Sequence, residues 1–221
     1  MKKLSVVVPY RNREDHLKQF VPAMESELKK QEIPFEIVII EQNDAKPFNR
    51  AMLLNIGFEE SKDCDYFAFH DVDMIPLDSD YSYPDGPTHL AARAEQFGFK
   101  LPYDGYFGGV TLFDKESFIK INGYSNEYWG WGAEDDDVLF RCHIMEIDTY
   151  RKDCRYQSLS HERDIKQSLY NDNLAKYGGI INTTSHIAKK MILTDGISCL
   201  NYGKVSEEKI SDNCRLIKVR L

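Results

Sequence analysis

The sequence predicts an α/β fold built on a mainly parallel central sheet, and three observations carry that expectation. Residues 4–8 (LSVVV) are an apolar, β-branched run without polar alternation, as in a strand buried on both faces. A helical pattern and a second apolar run follow, and a strand–helix–strand order of this kind closes as a right-handed crossover between parallel strands. At 221 residues with 42% hydrophobic content, the chain can bury one sizeable core, so residues 1–221 are expected to form a single domain.

Taken in order, residues 14–30 place Leu17, Phe20, Val21, Met24 and Leu28 at helical spacing, with Pro22 expected to kink or restart the helix. Residues 35–40 are the second buried strand. Arg11 and Arg13 then fall just past the C-terminal end of the first strand, where open α/β sheets place their ligands. Two guanidiniums there can grip a diphosphate by charge-assisted, bidentate contacts, or they are simply a solvated pair. Residues 48–58 read as a helix with an apolar face of Ala51, Leu54 and Phe58. Its N-terminal end faces the same side of the sheet, which places Phe48 and Arg50 against a nucleotide.

Residues 65–69 are a further strand that runs into HDVDMIP (70–76). Asp71 and Asp73, one residue apart at a strand end, can direct oxygen ligands at one hard cation. The spacing alone also fits an ordinary turn. An aspartyl-phosphate transferase begins similarly, but the Lys and distant acidic pair it requires cannot be assembled. Residues 78–105, rich in Asp, Tyr, Pro and Gly, are expected to be irregular, and residues 106–113 a strand whose Gly108 and Gly109 permit close backbone approach or a bulge. A short helix over 115–121 leads to YWGWGAEDDD (128–137). Four consecutive carboxylates repel one another strongly; a helix dipole accounts for one or two of them and not for the indoles and glycines beside them. This stretch is therefore read as an active-site loop opening a helix that continues over 138–145.

His161 sits among polar neighbours, a setting in which a lone histidine is usually structural or solvated, although imidazole suits several divalent ions. Residues 162–190 are polar and expected to be a long mobile segment, followed by C-terminal strands over 200–205 and 216–221. A formal net charge of −8 argues against a nucleic-acid partner. Five scattered cysteines without a CxxC pair argue against a disulfide framework or zinc ribbon and favour reduced cytosolic thiols. The first apolar run is too short for a signal peptide, and no stretch approaches the roughly 20 apolar residues of a membrane span.

Six stretches together resemble one family. FNRAMLLNIGF (48–58), FHDVDMIPLD (69–78), FGFKLPYDGYFGG (97–109) and INGYSNEYWGWGAEDDD (121–137), with PYRNREDHL (9–17) and HERD (161–164), are similar to the β-1,4-galactosyltransferases of glycosyltransferase family 7. They fall in family order and cover nearly the whole chain. The resemblance implies a GT-A fold with a mixed central sheet, UDP-galactose as donor, Mn²⁺, a saccharide or glycoconjugate acceptor and inversion at the transferred carbon. It implies that Pro9, Tyr10, Arg11, Arg13, Phe48 and Arg50 line the nucleotide site. Asp73 and His161 would hold the metal, and Asp71 and Val72 the ribose and donor. Tyr106 and Gly109 would border the donor sugar, Trp131 would ride on a closing loop, Glu134 would hold galactose, Asp135 would be the base and Asp136 would bind the acceptor. Asp137 is left to structure.

On the same resemblance, residues 1–112 would form the donor and metal half, and 113–221 the acceptor half with a flexible lid. Three positions depart from the family pattern: Ser158 where animal members have methionine, Gln96 in place of lysine, and Ala133 in place of glycine. Animal members carry an N-terminal anchor and stem, whereas this chain starts almost at its first strand. A bacterial cytoplasmic enzyme of surface polysaccharide synthesis is therefore expected, touching membrane only through a lipid-linked acceptor; the Golgi lumen applies only to a trimmed anchored protein. Open alternatives are UDP-N-acetylgalactosamine or UDP-glucose as donor, a sugar-binding module without catalysis, and an acceptor ending in N-acetylglucosamine, glucose or xylose. FVPAM and DYSYPDGPTH resemble the xylose-acting branch, and FGFKLPY the N-acetylglucosamine-acting one.

Overall fold

Every residue of β1 (Leu4–Tyr10) is buried, and its alternating side chains divide the interior in two. Leu4, Val6 and Val8 pack with Phe20, Met24 and Leu28 of α1 (Glu14–Lys30) on one face of the sheet. On the other face, Val7 packs among Leu54, Phe58, Phe67, Phe69 and Phe118. The structure is a computed structural model that describes residues 1–162 and 165–221; Arg163 and Asp164 of the HERD stretch lie outside the described residues.

After β1 and α1 come β2 (Phe35–Gln42), α2 (Arg50–Glu60), β3 (Tyr66–His70), β4 (Met74–Asp78), β5 (Thr88–His89), β6 (Arg93–Ala94) and β7 (Val110–Asp114). They are followed by α3 (Lys115–Lys120), α4 (Glu134–Ile144), β8 (Tyr150–Arg151), β9 (Arg155–Ser158), α5 (Gln167–Ile181), α6 (Ser185–Thr194), β10 (Gly203–Ser211) and β11 (Cys214–Arg220). The strands form an eight-stranded sheet in the order β10-β11-β2-β1-β3-β7-β5-β8, and a smaller sheet in the order β4-β9-β6. β1 runs parallel to β2 and to β3, as the crossover argument requires, while β7 joins β3 antiparallel. The large sheet is therefore mixed. No helix among the described residues is long and apolar enough to cross a membrane.

Several local expectations need correction. Helix α1 runs unbroken through Pro22, which lies on the exposed face where water can bond the carbonyl that proline leaves unpaired. The segment 162–190, read as mobile because it is polar, holds most of α5 and α6. Their apolar contacts are few and local: Ile180, Ala188 and Ile192, with Phe140, Ile144 and Tyr177 against them. The penultimate strand is β10, later and longer than 200–205. Its residues 203–210 are exposed at the sheet edge and charged at Lys204, Glu207, Glu208 and Lys209, so no apolar pattern announces it. Residues 106–109 are not strand, because Gly109 turns with φ +79° before β7 begins. Residues 78–105, expected to be irregular, contain β5 and β6.

Helix α2 sits so close to β1 that a β-carbon on Gly57 would collide with the Val7 side chain. Gly57→Ala should therefore cost about 1–3 kcal/mol, the usual range for overpacking, measured as a lower urea midpoint with unchanged slope.

Candidate active site

At the C-terminal edge of the parallel strands, β1 delivers buried Pro9 and Tyr10 and then Arg11. The Arg11 guanidinium lies 5.3 Å over the Phe48 ring and donates to the Lys46 carbonyl at 2.8 Å. Asn49 caps α2 by accepting from the Met52 amide at 2.9 Å, and its amide nitrogen donates to the Asn126 carbonyl at 2.7 Å. The Gly130 amide donates to the Phe48 carbonyl at 2.7 Å. These bonds tie the start of α2 to the tryptophan–glycine loop.

Arg50, the first residue of α2, projects into the acidic cluster. Its Nε donates to Asp71 Oδ1 at 2.6 Å and its Nη1 to Asp135 Oδ1 at 2.8 Å, with Glu134 Oε1 3.8 Å from Nη1. The side chains are largely shielded: Arg50 is 12% exposed, Asp71 29% and Asp135 24%. Loss of solvent pushes the Asp71 carboxyl up to about 6 against the opposing pull of Arg50. The same loss of solvent, reinforced by Glu134 and Asp71, holds Asp135 well above the ordinary carboxylate range, again against Arg50. The other oxygen of Asp135, Oδ2, faces Gly108, where a β-carbon would lie 2.5 Å from it and 3.0 Å from the Tyr106 hydroxyl. Gly109 passes its carbonyl to the Asp71 amide at 3.0 Å, which locks the glycine turn onto the end of β3.

A second cluster lies beside the first. His161 Nε2 is 3.1 Å from Asp73 Oδ2, and its Nδ1 is 2.8 Å from the Glu162 carbonyl and 3.0 Å from Arg13 Nη2. Val72, buried at 8% exposure, separates Asp71 from Asp73, so that one carboxylate serves each cluster. The hydrogen bond to Asp73 raises the His161 pKa above its ordinary value. In this pairing Nε2–H donates to the Asp73 carboxylate, and loss of that proton would bare the Nε2 lone pair beside it. Imidazole and carboxylate converging in this way fit a divalent ion such as Mn²⁺. A cavity of about 410 Å³ bordered by Asp73, Gln96, Ser158 and His161 adjoins the pair, and a second of about 530 Å³ continues past Arg13 and His16. Elsewhere, Glu36, Asp63 and Cys64 also converge, but Lys3 already pairs with both carboxylates.

The loop before α4 is held from α5. Asn173, 3% exposed, donates to the carbonyls of Trp129 at 3.0 Å and Trp131 at 3.3 Å. Tyr170 packs on the Trp131 ring at 5.3 Å, and Gly130 and Gly132, both at positive φ, leave room for Leu169 and Tyr170. Trp131 itself stays 47% exposed. Asp136 accepts from the Tyr103 hydroxyl at 2.9 Å. Asp137 turns inward to Arg141 Nε at 2.7 Å, and the buried Arg141 also donates to the Asp195 carbonyl at 2.8 Å.

The residues singled out from the sequence thus form three adjoining groups: Arg50, Asp71, Glu134, Asp135, Tyr106 and Gly109; Asp73, His161 and Arg13; and Arg11 with Phe48. Asp136 and Trp131 flank them. Sequence reasoning did not single out Tyr103, Tyr170 or Asn173 as site neighbours. The last two stand on a helix that polarity alone disguised, and an isolated Asn carries no pattern.

Residues 1–84 match the N-terminal region of glycosyl transferase group 7, and residues 88–164 match the N-terminal domain of galactosyltransferase. The catalytic domain of a Drosophila β-1,4-galactosyltransferase 7, solved with xylobiose, superimposes with a TM-score of 0.81 at 30% identity, over 100% of this chain and 94% of that one. The chain belongs to glycosyltransferase family 7. A variant of the same Drosophila protein, solved with manganese, UDP-Gal and xylobiose, gives a TM-score of 0.82 at 29% identity over the same shares. The GT-A architecture expected from the family resemblance is thereby borne out. β-1,4-Galactosyltransferase 2 of Cricetulus griseus is 39% identical over 208 residues, 90% of this chain and 54% of that protein. β-1,4-Galactosyltransferase 1 of Homo sapiens is 38% identical over 90% of this chain and 50% of its own length. The chain therefore spans about half the length of these two relatives.

Ala133, at the N-cap of α4, has φ +72° and ψ −12°, a left-handed conformation that costs an L-residue about 1–2 kcal/mol. Glycine removes that cost but adds about 0.4–1 kcal/mol of unfolded-state freedom. Strain is the larger effect, so Ala133→Gly should stabilise the fold by roughly 0.5–1 kcal/mol, read as a raised urea midpoint.

Proposed function

We propose that the chain is an inverting, metal-dependent transferase that moves galactose from UDP-galactose to an acceptor sugar hydroxyl, O4, forming a β-1,4 linkage. The observation that carries this reading is Asp135: one oxygen is anchored by Arg50, and the other faces the glycine turn beside Tyr106. Family membership supplies the reaction class, and this carboxylate supplies a base at the place where the class needs one.

Asp135 Oδ2 takes the proton from the acceptor hydroxyl as its oxygen forms a bond to galactose C1, while the bond from C1 to the diphosphate oxygen breaks on the opposite face and UDP departs. A positioned base of this kind contributes about 10²–10⁴-fold. Glu134 holds the galactose hydroxyls, Tyr106 and Gly109 border its ring, and Asp136 with Tyr103 receives the acceptor. Pro9, Tyr10, Arg11 and Phe48 seat the nucleotide, Asp71 and Val72 the ribose side, and Arg13 faces the diphosphate from beside His161. Asp73 and His161 would hold Mn²⁺, which would supply positive charge against the diphosphate. Trp131, exposed on the loop between Gly130 and Gly132, closes over the donor and excludes water.

Residues 1–112 carry most of the nucleotide-side groups and Asp73, and residues 113–221 the acceptor groups together with Glu134, Trp131 and His161, within one catalytic domain. The setting proposed is a reducing one, the cytoplasm, which suits five unpaired thiols, with a polysaccharide or glycoconjugate as product.

Two measurements test the reading. Asp135→Asn should lower kcat by about 10²–10⁴-fold while calorimetric UDP-galactose affinity holds; near wild-type turnover would remove the base. Metal binding needs neutral His161, whose pKa is raised by Asp73, so Mn²⁺ affinity measured by calorimetry should rise with pH through that raised value and level off above it. A flat profile, or one unaffected by His161→Ala, would exclude this histidine as ligand.

A further inference from the structure

The geometry points to Arg50 as the positioning residue of the base: its guanidinium fork holds Asp135 by one oxygen and opposes its protonation, leaving the oxygen that faces Gly108 to take the acceptor proton. The inference rests on the reading of Asp135 as base and deepens it, because contact with the nucleotide, the role expected for Arg50, does not account for these bonds.

The first argument is division of labour between the two oxygens. Oδ1 is occupied by Arg50 Nη1 at 2.8 Å, whereas Oδ2 faces Gly108. A carboxylate fixed at one oxygen by a rigid donor has its other lone pairs aimed, as a catalytic base is aimed by a third group. The second argument is rigidity of the fork itself. Nε is bound to Asp71 Oδ1 at 2.6 Å, and Arg50 stands at the first turn of a helix whose start is capped by Asn49 and tied to the loop at Asn126 and Gly130. Lysine carries the charge but not the planar fork and cannot reproduce both bonds in fixed geometry.

The third argument is electrostatic. Asp135 faces Glu134 and Asp136 on α4, Asp71 at the end of β3, and the phenols of Tyr103, Tyr106 and Tyr124. Its other charged neighbours are acids, and Arg50 on α2 is the cation bonded to it. Burial and those acids all favour the protonated carboxyl, which is useless as a base, and Arg50 opposes them.

Arg50→Met removes charge and fork, and Arg50→Lys keeps the charge alone. At saturating donor, the acid limb of the kcat–pH profile should move up by about 1–3 pH units in Arg50→Met, the range for loss of one adjacent opposite charge, with turnover partly regained at high pH. In Arg50→Lys the limb should stay near its wild-type position while plateau kcat falls by up to about 10²-fold, the scale of a small misplacement. Donor KM is recorded separately, so that any loss of nucleotide contact does not enter the comparison. A uniform fall of kcat in Arg50→Met, with both the acid limb and the Asp135 carboxyl titration unmoved, would overturn the inference and leave Arg50 a donor-binding or structural group.

Carboxyl ¹³C NMR of the donor-free protein, with the Asp135 signal assigned by Asp135→Asn, reads the same effect without turnover. Its titration should move up in Arg50→Met, or in Arg50→Gln if the methionine variant does not fold. An unmoved titration overturns the inference. A titration that moves while the acid limb does not would instead sink the base assignment and leave the hold of Arg50 on Asp135 standing.

Discussion

One guanidinium set against three carboxylates is the interaction on which the rest of the site depends. Asp71, Glu134 and Asp135 come from the end of a central strand and the first turn of a helix far along the chain, and Arg50 is what lets them share a shielded space. Without a cation, like charges in that setting would neutralise by protonation or drive the loop apart. The surrounding bonds serve this meeting. Asn49 fixes the start of α2, the Phe48 carbonyl receives the Gly130 amide, and Arg141 draws Asp137 and Asp195 together beneath the acidic helix. Two arginines thus hold three of the four consecutive carboxylates, Glu134 and Asp135 at the site and Asp137 in the buried support, while Asp136 accepts from Tyr103.

Much of the scaffold could be read from the sequence because it is written in continuous apolar runs. β1, β2 and β3 are buried on both faces, so their side-chain chemistry left little choice of structure. The ends of those strands were legible for the same reason: Arg11, Asp71 and Asp73 lie where a strand known to be central must stop. What stayed hidden is held by polar contacts. Helix α5 reads as solvated chain, yet Asn173 binds two loop carbonyls and Tyr170 covers Trp131. Strand β10 is charged, exposed and paired on one side only, so it has no periodicity to betray it. The partner of Asp73 could not be found by spacing either, because His161 reaches it only through β9, which pairs with β4 in the small sheet.

Two of the three positions that depart from the resemblance noted in the sequence meet in space although they are far apart in the chain. Gln96 and Ser158 line the same cavity as Asp73 and His161, and the Gln96 amide donates to Ser158 Oγ at 3.2 Å. Ser158 also pairs with Met74 across the small sheet, so this wall of the cavity is built on a two-strand register rather than on a loop. Ala133 departs differently, through backbone conformation at the threshold of α4.

The place of β11 in the sheet bears on how the chain is made. Its residues from Cys214 to Val219 pair in parallel with Ile37 to Gln42 of β2, and Ile217 and Val219 complete a cluster with Val38, Ile40, Leu53 and Ile56. On a ribosome that emits residues in order, the β1–α1–β2 unit emerges early with one edge of β2 unpaired, and it must wait for nearly the whole chain before that edge is covered. Closure of so long a loop is a late, slow event. The exposed, charged β10 arrives with β11 as a hairpin, so the same step that buries the waiting edge replaces it with one that resists pairing with another molecule.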